Sequence, residues 1–103
     1  MSILTAQQAA ELLNYNSPDE MPEKVTSFFL PSIDGCLQEA TGKDWGMITD
    51  LYPQISPVAI MAAGILLVRW FEDPGMIGKT NDSTVIGLIG QLKAKVLQES
   101  QIS

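Results

Sequence analysis

The chain contains no histidine and a single cysteine, Cys36. Without histidine, the sequence excludes Ser–His–Asp and Cys–His nucleophile systems, because both use an imidazole as the general base. A disulfide within the chain and a zinc site of the usual Cys/His type are excluded as well, because each needs more than one such side chain. One free cysteine is typical of a reducing compartment.

Charged residues are also scarce: they make up 17% of the chain, against about 25% in average domains. The net charge of −6 arises entirely in residues 1–50. This acidic chain lacks the clustered cations with which proteins grip nucleic acid. It is compatible with a protein along which nucleic acid passes without binding, because like charges repel.

With apolar residues at 46%, we expect some apolar surface for a partner; the alternative is a slightly apolar monomer.

Long apolar runs are absent. The longest run, 58–68, has eleven residues, whereas a membrane span needs about 20. The N-terminal residues lack the basic and apolar regions of a signal peptide. No repeat or long linker divides the chain, and its length is that of one ordinary domain. We therefore expect residues 1–103 to form a single domain with no membrane association.

Apolar periodicity predicts an all-α fold, a small bundle of about four helices. The first helix begins at Thr5, whose spacing from Gln8 is that of a capping box. The second begins between residues 19 and 22 and carries apolar residues at three- and four-residue steps. Pro31 is expected to kink this helix, with two shorter helices as the alternative, and Gly42 is expected to cap its end.

The third helix covers about 57–73 and begins at Ser56, a capping residue followed by proline. Its segment 58–68 is apolar on every face, and such a helix must be covered on every side. Cover by a neighbouring subunit and burial inside the chain's own fold are both open at this point. Residues 74–84 are predicted to form a mobile loop, and residues 84–99 the last helix.

Carboxylates are the main candidates for chemistry. Asp19, Glu20 and Glu23 can be interpreted as a metal cluster, but acids favour a helix start, where they complement the helix dipole. Glu72 and Asp73 can be interpreted as an acid–base pair, but no group of matched chemistry lies near them in the sequence. We interpret both groups as solvated helix ends, and therefore expect neither catalysis nor a bound metal.

The glycine-containing stretch 74–80 resembles a phosphate-binding loop. Its two glycines, Gly75 and Gly78, are too close together for that motif, and a helix rather than a strand precedes them. We therefore expect no nucleotide and no other cofactor.

Two aromatic residues, Trp70 and Phe71, end the apolar helix. Aromatic side chains are enriched at protein interfaces, so these residues are either interface anchors or the last part of the core. Arg69 and Asp73 stand four residues apart and can form an ion pair.

The order of sequence features resembles a known family. A first helix opens with Leu4-Thr5 and an alanine at position 9, an acidic turn follows, and a long helix closes in 40–43, Ala-Thr-Gly-Lys. A Ser-Pro-started apolar helix then ends in 65–73, Ile-Leu-Leu-Val-Arg-Trp-Phe-Glu-Asp, before a glycine-containing loop and a short last helix. This order, which covers nearly the whole chain, resembles the head–tail connector (adaptor) proteins of tailed bacteriophages and prophages.

The resemblance implies a structural role. Such proteins form a ring below the portal, expected to match its twelvefold symmetry, and they help to retain packaged DNA. They later provide its exit channel and a docking surface for tail-completion or stopper proteins. The location implied is the head–tail interface of the virion, and the host cytoplasm during assembly.

Within this interpretation, we predict that the contact residues lie at the end of the third helix and in the following loop. The predicted subunit-interface residues are Arg69, Trp70, Phe71, Asp73, Met76, Ile77 and Lys79. The alternative is a small helical adaptor or regulator that binds one cellular protein through Trp70 and Phe71.

Overall fold

The computed structural model describes residues 2–50 and 53–102, and across these ranges the fold is all-α, as predicted. Its four helices are α1 (Ala6–Leu12), α2 (Leu30–Thr41), α3 (Pro57–Glu72) and α4 (Ser83–Ile102). Two short 3-10 turns, Pro18–Glu20 and Pro74–Met76, and a π-helical turn, Val25–Phe29, connect or extend them.

The first helix begins with the predicted capping box. Thr5 Oγ1 accepts the backbone N–H of Gln8 at 3.0 Å, and the backbone N–H of Thr5 donates to Gln8 Oε1 at 2.8 Å. These two bonds satisfy backbone donors that the first helical turn leaves without an intrahelical partner. Beyond α1 the chain turns at Asn14, whose φ of 65° lies in the left-handed region that asparagine tolerates.

The second helix departs from regular α geometry directly before Pro31. The backbone of Val25–Phe29 is π-helical, and the N–H of Leu30 donates to the carbonyl of Val25. A proline has no N–H for the carbonyl four residues before it, here that of Ser27, and its ring crowds that carbonyl. The predicted effect of Pro31 therefore takes the form of a widened turn on its N-terminal side.

The end of α2 is closed by Gly42, as predicted. Its φ of 83° places it in the left-handed region, and its N–H donates to the carbonyl of Gln38 at 2.7 Å. Just before it, buried Thr41 accepts the indole N–H of buried Trp45 at 2.7 Å. Lys43 forms a 2.9 Å ion pair with Glu99 and so links this end of α2 to α4.

Helix α3 is the central element and packs against the other three helices. It begins as predicted, with Ser56 accepting the N–H of Ala59 at 3.4 Å and Pro57 in the first turn. Small side chains on its buried face let neighbouring helices approach closely. The buried residues of α3 are Ala59, Ala62, Ala63, Gly64, Leu66, Leu67 and Trp70.

The predicted loop after α3 contains a 3-10 turn and is held by hydrogen bonds. Asp73 accepts the N–H of Gly75 at 3.0 Å, and the indole N–H of Trp70 donates to the carbonyl of Lys79 at 3.1 Å. The mobility of this loop stays a prediction. It ends at Asp82, and α4 then begins at Ser83 and runs to Ile102, three residues beyond the predicted end.

Candidate functional site

One side of α3 is left open between α1 and α4. Its apolar residues Met61, Ile65 and Val68 follow one another at steps of four and three residues, which places them in one stripe along the helix. Leu12 from α1 borders one side of this stripe, and Leu88 from α4 borders the other. The resulting depression, which we call the α3 groove, has a volume of about 540 Å³. Its lining residues are Leu12, Ile60, Met61, Gly64, Ile65, Val68, Arg69, Thr84 and Leu88.

Large side chains in this groove remain in contact with solvent. Met61 is 51% exposed and Leu12 is 41% exposed. Single exposed apolar residues are ordinary on a protein surface, but a contiguous apolar depression is typical of a binding surface. Of the two alternatives left open for α3, complete burial inside the chain's own fold does not hold on this side, where Met61 stays half exposed.

Gly64 forms part of the floor of the groove. A Cβ at this position would lie 3.3 Å from Leu12 Cδ1. The absence of a side chain at Gly64 therefore allows Leu12 to lie over the floor, so that the junction of α1 with α3 also shapes the groove.

Charged side chains lie around the edge of the groove. Arg69 is more than half exposed, and its Nη2 lies 2.7 Å from Asp82 Oδ2. Exposed Glu11 lies beside Leu12 in an adjoining depression that shares Ile60 with the groove. Exposed Glu72 extends the Met61–Val68 stripe by a further four residues. With Arg69 paired, the edge presents the carboxylates of Glu11 and Glu72.

The predicted interface residues differ in their exposure: Trp70 is buried, whereas Arg69, Asp73 and Lys79 are exposed. Trp70 is 0% exposed, and its indole N–H is bonded inside the fold. It therefore belongs to the core, and a contact of its ring with another subunit is incompatible with this fold. Phe71 is half-buried, with ring centroids 5.9 Å from Phe29 and 6.5 Å from Tyr15. Lys24 Nζ lies 5.6 Å from the centroid of the Phe71 ring.

Of the remaining predicted residues, only Arg69 lines the α3 groove. Asp73 caps the 3-10 turn through its bond with Gly75. Met76 and Ile77 are half-buried and pack against the core. Lys79 is exposed, and its carbonyl holds Trp70.

Sequence reasoning missed the groove residues Leu12, Met61, Ile65 and Val68. The sequence did show that α3 is apolar on every face and must be covered. It did not show which side of α3 stays open. That side is set by where α1 and α4 pack, which is a property of the whole fold.

The groove has the chemistry of a binding surface. Its lining is aliphatic apart from Arg69 and Thr84. Across residues 2–50 and 53–102, no three His, Cys, Asp or Glu side chains lie close enough together to hold a metal ion. Over the same residues, none of the helices has the length and apolar character needed to cross a bilayer.

The acidic groups considered above lie at exposed helix ends. Asp19 is exposed, and Glu20 accepts the N–H of Asn16 at 3.2 Å.

The single cysteine lies half-buried on α2, where burial and, to a smaller extent, the neighbouring Glu39 carboxylate raise the pKa of the Cys36 thiol. A raised pKa disfavours the thiolate, which is the nucleophilic form of cysteine.

Comparison of the chain with protein-family models, with curated proteins and with solved structures gives no match. A function for this chain is therefore proposed from its sequence and from the α3 groove.

Proposed function

We propose that this chain is a structural, non-enzymatic subunit that assembles with copies of itself into a head–tail connector ring of a tailed phage or prophage. The observation that carries the proposal is the α3 groove, an apolar surface left open on the most apolar helix of the chain. The resemblance of the sequence to connector proteins is the reason for proposing a head–tail connector ring rather than another kind of oligomer.

A ring of identical subunits needs two different patches on each subunit, because a head-to-tail contact joins unlike surfaces. The groove supplies one apolar patch. Covering it removes Met61 and Leu12 from water, and burial of apolar area contributes about 25 cal/mol for each Å².

The charge distribution supports a conduit for DNA. The net charge of −6 comes from the first half of the chain, and like charge disfavours binding of the phosphate backbone. In this function the partners are further copies of the chain, the portal protein, and a tail-completion or stopper protein. Assembly takes place in the host cytoplasm, and the finished ring lies at the head–tail interface of the virion.

The alternative is an adaptor that binds one cellular protein through Trp70 and Phe71. The Trp70 side chain is buried, and the Phe71 ring packs against Phe29 and Tyr15.

The mass of the purified protein in solution, measured by light scattering over a range of concentrations, tests the proposal. We expect a ring-sized species, either alone or after addition of the portal protein from the same genome. A monomer or dimer at every concentration, with portal protein present, would contradict the connector function and favour the adaptor.

A further inference from the structure

Helix α4 presents a different surface on each of three sides. Val85, Ile89 and Leu92 face the core, and Leu88, which also touches the core, forms a wall of the α3 groove together with Thr84. A third side faces solvent, roughly opposite the groove wall on the helical wheel.

The solvent side carries its own apolar stripe. Ile86 is 56% exposed and Leu97 is 63% exposed. Exposed Gly90 and Lys93 lie between them, so the four residues follow one another at steps of four, three and four. A Cβ at Gly90 would have nothing within 4 Å, so another helix can approach the backbone there. We call Ile86, Gly90, Lys93 and Leu97 the α4 ridge.

We propose that the α4 ridge of one copy docks into the α3 groove of the next copy. This inference rests on the proposed function and names the two surfaces that join neighbouring subunits. The occupant of the groove is thus a second copy of this chain.

The two surfaces match in spacing. The groove stripe and its acidic end comprise Met61, Ile65, Val68 and Glu72, again at steps of four, three and four. Each stripe extends over twelve residues, and its eleven steps along an α-helix cover a length of about 16 Å. The two helices can therefore lie along each other, with the large side chains of the ridge beside the aliphatic lining of the groove.

The charges at the edges are complementary. The ridge carries the exposed cation Lys93, and the edge of the groove carries the exposed carboxylates Glu11 and Glu72. Opposite charges across an interface guide encounter and register, whereas like charges oppose a wrong partner. The exposed cation of the ridge complements the two exposed carboxylates at the groove edge, and this complementarity selects a second copy as the occupant.

The placement of both surfaces on flanks of α4 determines the kind of contact. A copy that uses its ridge leaves its own groove open on the other flank, and the next copy can dock there. The contact is heterologous, joining unlike surfaces, and it closes into a ring when the rotation per subunit allows.

Two single substitutions test the docking mode. Met61→Asp places a charge in the groove, and Leu97→Asp places a charge on the ridge. Both positions are at least half exposed in the single chain, so each variant is expected to keep the helicity of the parent in circular dichroism. Met47→Asp, at an exposed residue that lines neither surface, is the matched control.

Light scattering should find each of the first two variants monomeric where the parent chain forms its assembly, while Met47→Asp assembles like the parent. The Met61→Asp chain keeps an intact ridge, and the Leu97→Asp chain keeps an intact groove. Mixed in equal amounts, they should form a heterodimer of twice the 11.2 kDa chain mass and no larger species. Lys93→Glu should weaken assembly about tenfold, and by less at high salt.

If assembly requires portal protein, the same variants are compared in its presence. Assembly of Met61→Asp and Leu97→Asp at the parent's concentration would overturn the docking mode and leave the connector function standing. Absence of a heterodimer in the mixture, or equal loss of assembly in Met47→Asp, would also overturn the docking mode. A parent chain that stays monomeric with portal protein would overturn the connector function and, with it, the docking mode.

Discussion

The carboxylate of Asp82 joins the end of α3 to the start of α4. Its Oδ2 lies 2.7 Å from Arg69 Nη2, and its Oδ1 accepts the backbone N–H of Thr84 at 2.9 Å. The sequence spacing also allowed an ion pair of Arg69 with Asp73, but the structure pairs Arg69 with Asp82. Asp73 Oδ1 accepts the N–H of Gly75 at 3.0 Å, so that carboxylate caps the following turn.

Replacing Asp82 should destabilise the fold mainly through loss of the helix cap. We expect Asp82→Ala to lower the free energy of unfolding by about 1–2 kcal/mol, measured by urea denaturation. Arg69→Ala should cost less than about 1 kcal/mol, because the arginine is largely exposed and solvent screens the ion pair. Asp82→Asn keeps an acceptor for the cap, so a loss equal to that of Asp82→Ala would contradict the assignment of the larger effect to capping.

Replacing Trp70 should unfold the chain rather than dissociate an assembly. Removal of a buried tryptophan side chain costs about 3–5 kcal/mol, so Trp70→Ala should reduce thermal stability and assembly together. Trp70→Phe keeps most of the buried volume but leaves the Lys79 carbonyl without its donor, and should cost about 1–3 kcal/mol. An assembly defect in Trp70→Phe without a change in melting temperature would contradict the core assignment.

Gly64→Ala should separate folding from assembly. Alanine favours a helix interior by about 1 kcal/mol over glycine, and the contact with Leu12, at the end of a half-exposed side chain, can be relieved by a small shift. We therefore expect unchanged or slightly increased thermal stability. The shifted Leu12 narrows the groove, so the midpoint concentration for assembly should rise severalfold. A large loss of stability would show that Leu12 cannot move.

Cys36 should react slowly with thiol reagents at neutral pH. Burial and the Glu39 carboxylate raise the pKa of its thiol. The rise of the labelling rate with pH should therefore occur at higher pH than for a free thiol. Glu39→Gln removes the smaller contribution and should move the profile only part of the way back. A profile that matches the unfolded chain would contradict the influence of burial.

The same shift has a consequence for stability, with a definite sign. The folded chain holds the thiol proton more tightly than the unfolded chain. The protonated thiol therefore contributes to the free energy of unfolding, and this contribution is fully present below the pKa of the thiol in the unfolded chain. It is lost as pH rises through the folded pKa. Alkaline destabilisation should therefore be smaller in Cys36→Ser than in the parent, as measured by urea denaturation across this pH range.

Helix boundaries could be predicted where their cause is local. Thr5 with Gln8, Ser56 with its following proline, and Gly42 each act on backbone groups within a few residues, so their spacing in the sequence is sufficient. The start of α4 was placed at Thr84, one residue beyond the Ser83 of the structure, because the capping role of Asp82 was not recognised.

The groove could not be predicted to the same extent, because its cause is not local. The apolar run in α3 showed that cover was needed, but the open side depends on where Leu12 and Leu88 pack. The sequence also gives no local signal that separates a buried Trp70 from an interface Trp70. The bond of its indole to the Lys79 carbonyl forms only when the loop folds back.

The widened turn before Pro31 affects the angular position of the residues that precede it. Val25, Phe29, Ile33 and Leu37 are all buried, and they are spaced by four residues each. In a regular α-helix every four-residue step overshoots a full turn by about 40°, so such a series rotates away from the core. A π-helical turn takes more residues per revolution and reverses part of that rotation between the first two of these residues. The widened turn before the exposed Pro31 thereby keeps Val25 and Phe29 on the same side of the helix as Ile33 and Leu37, so that all four face one core.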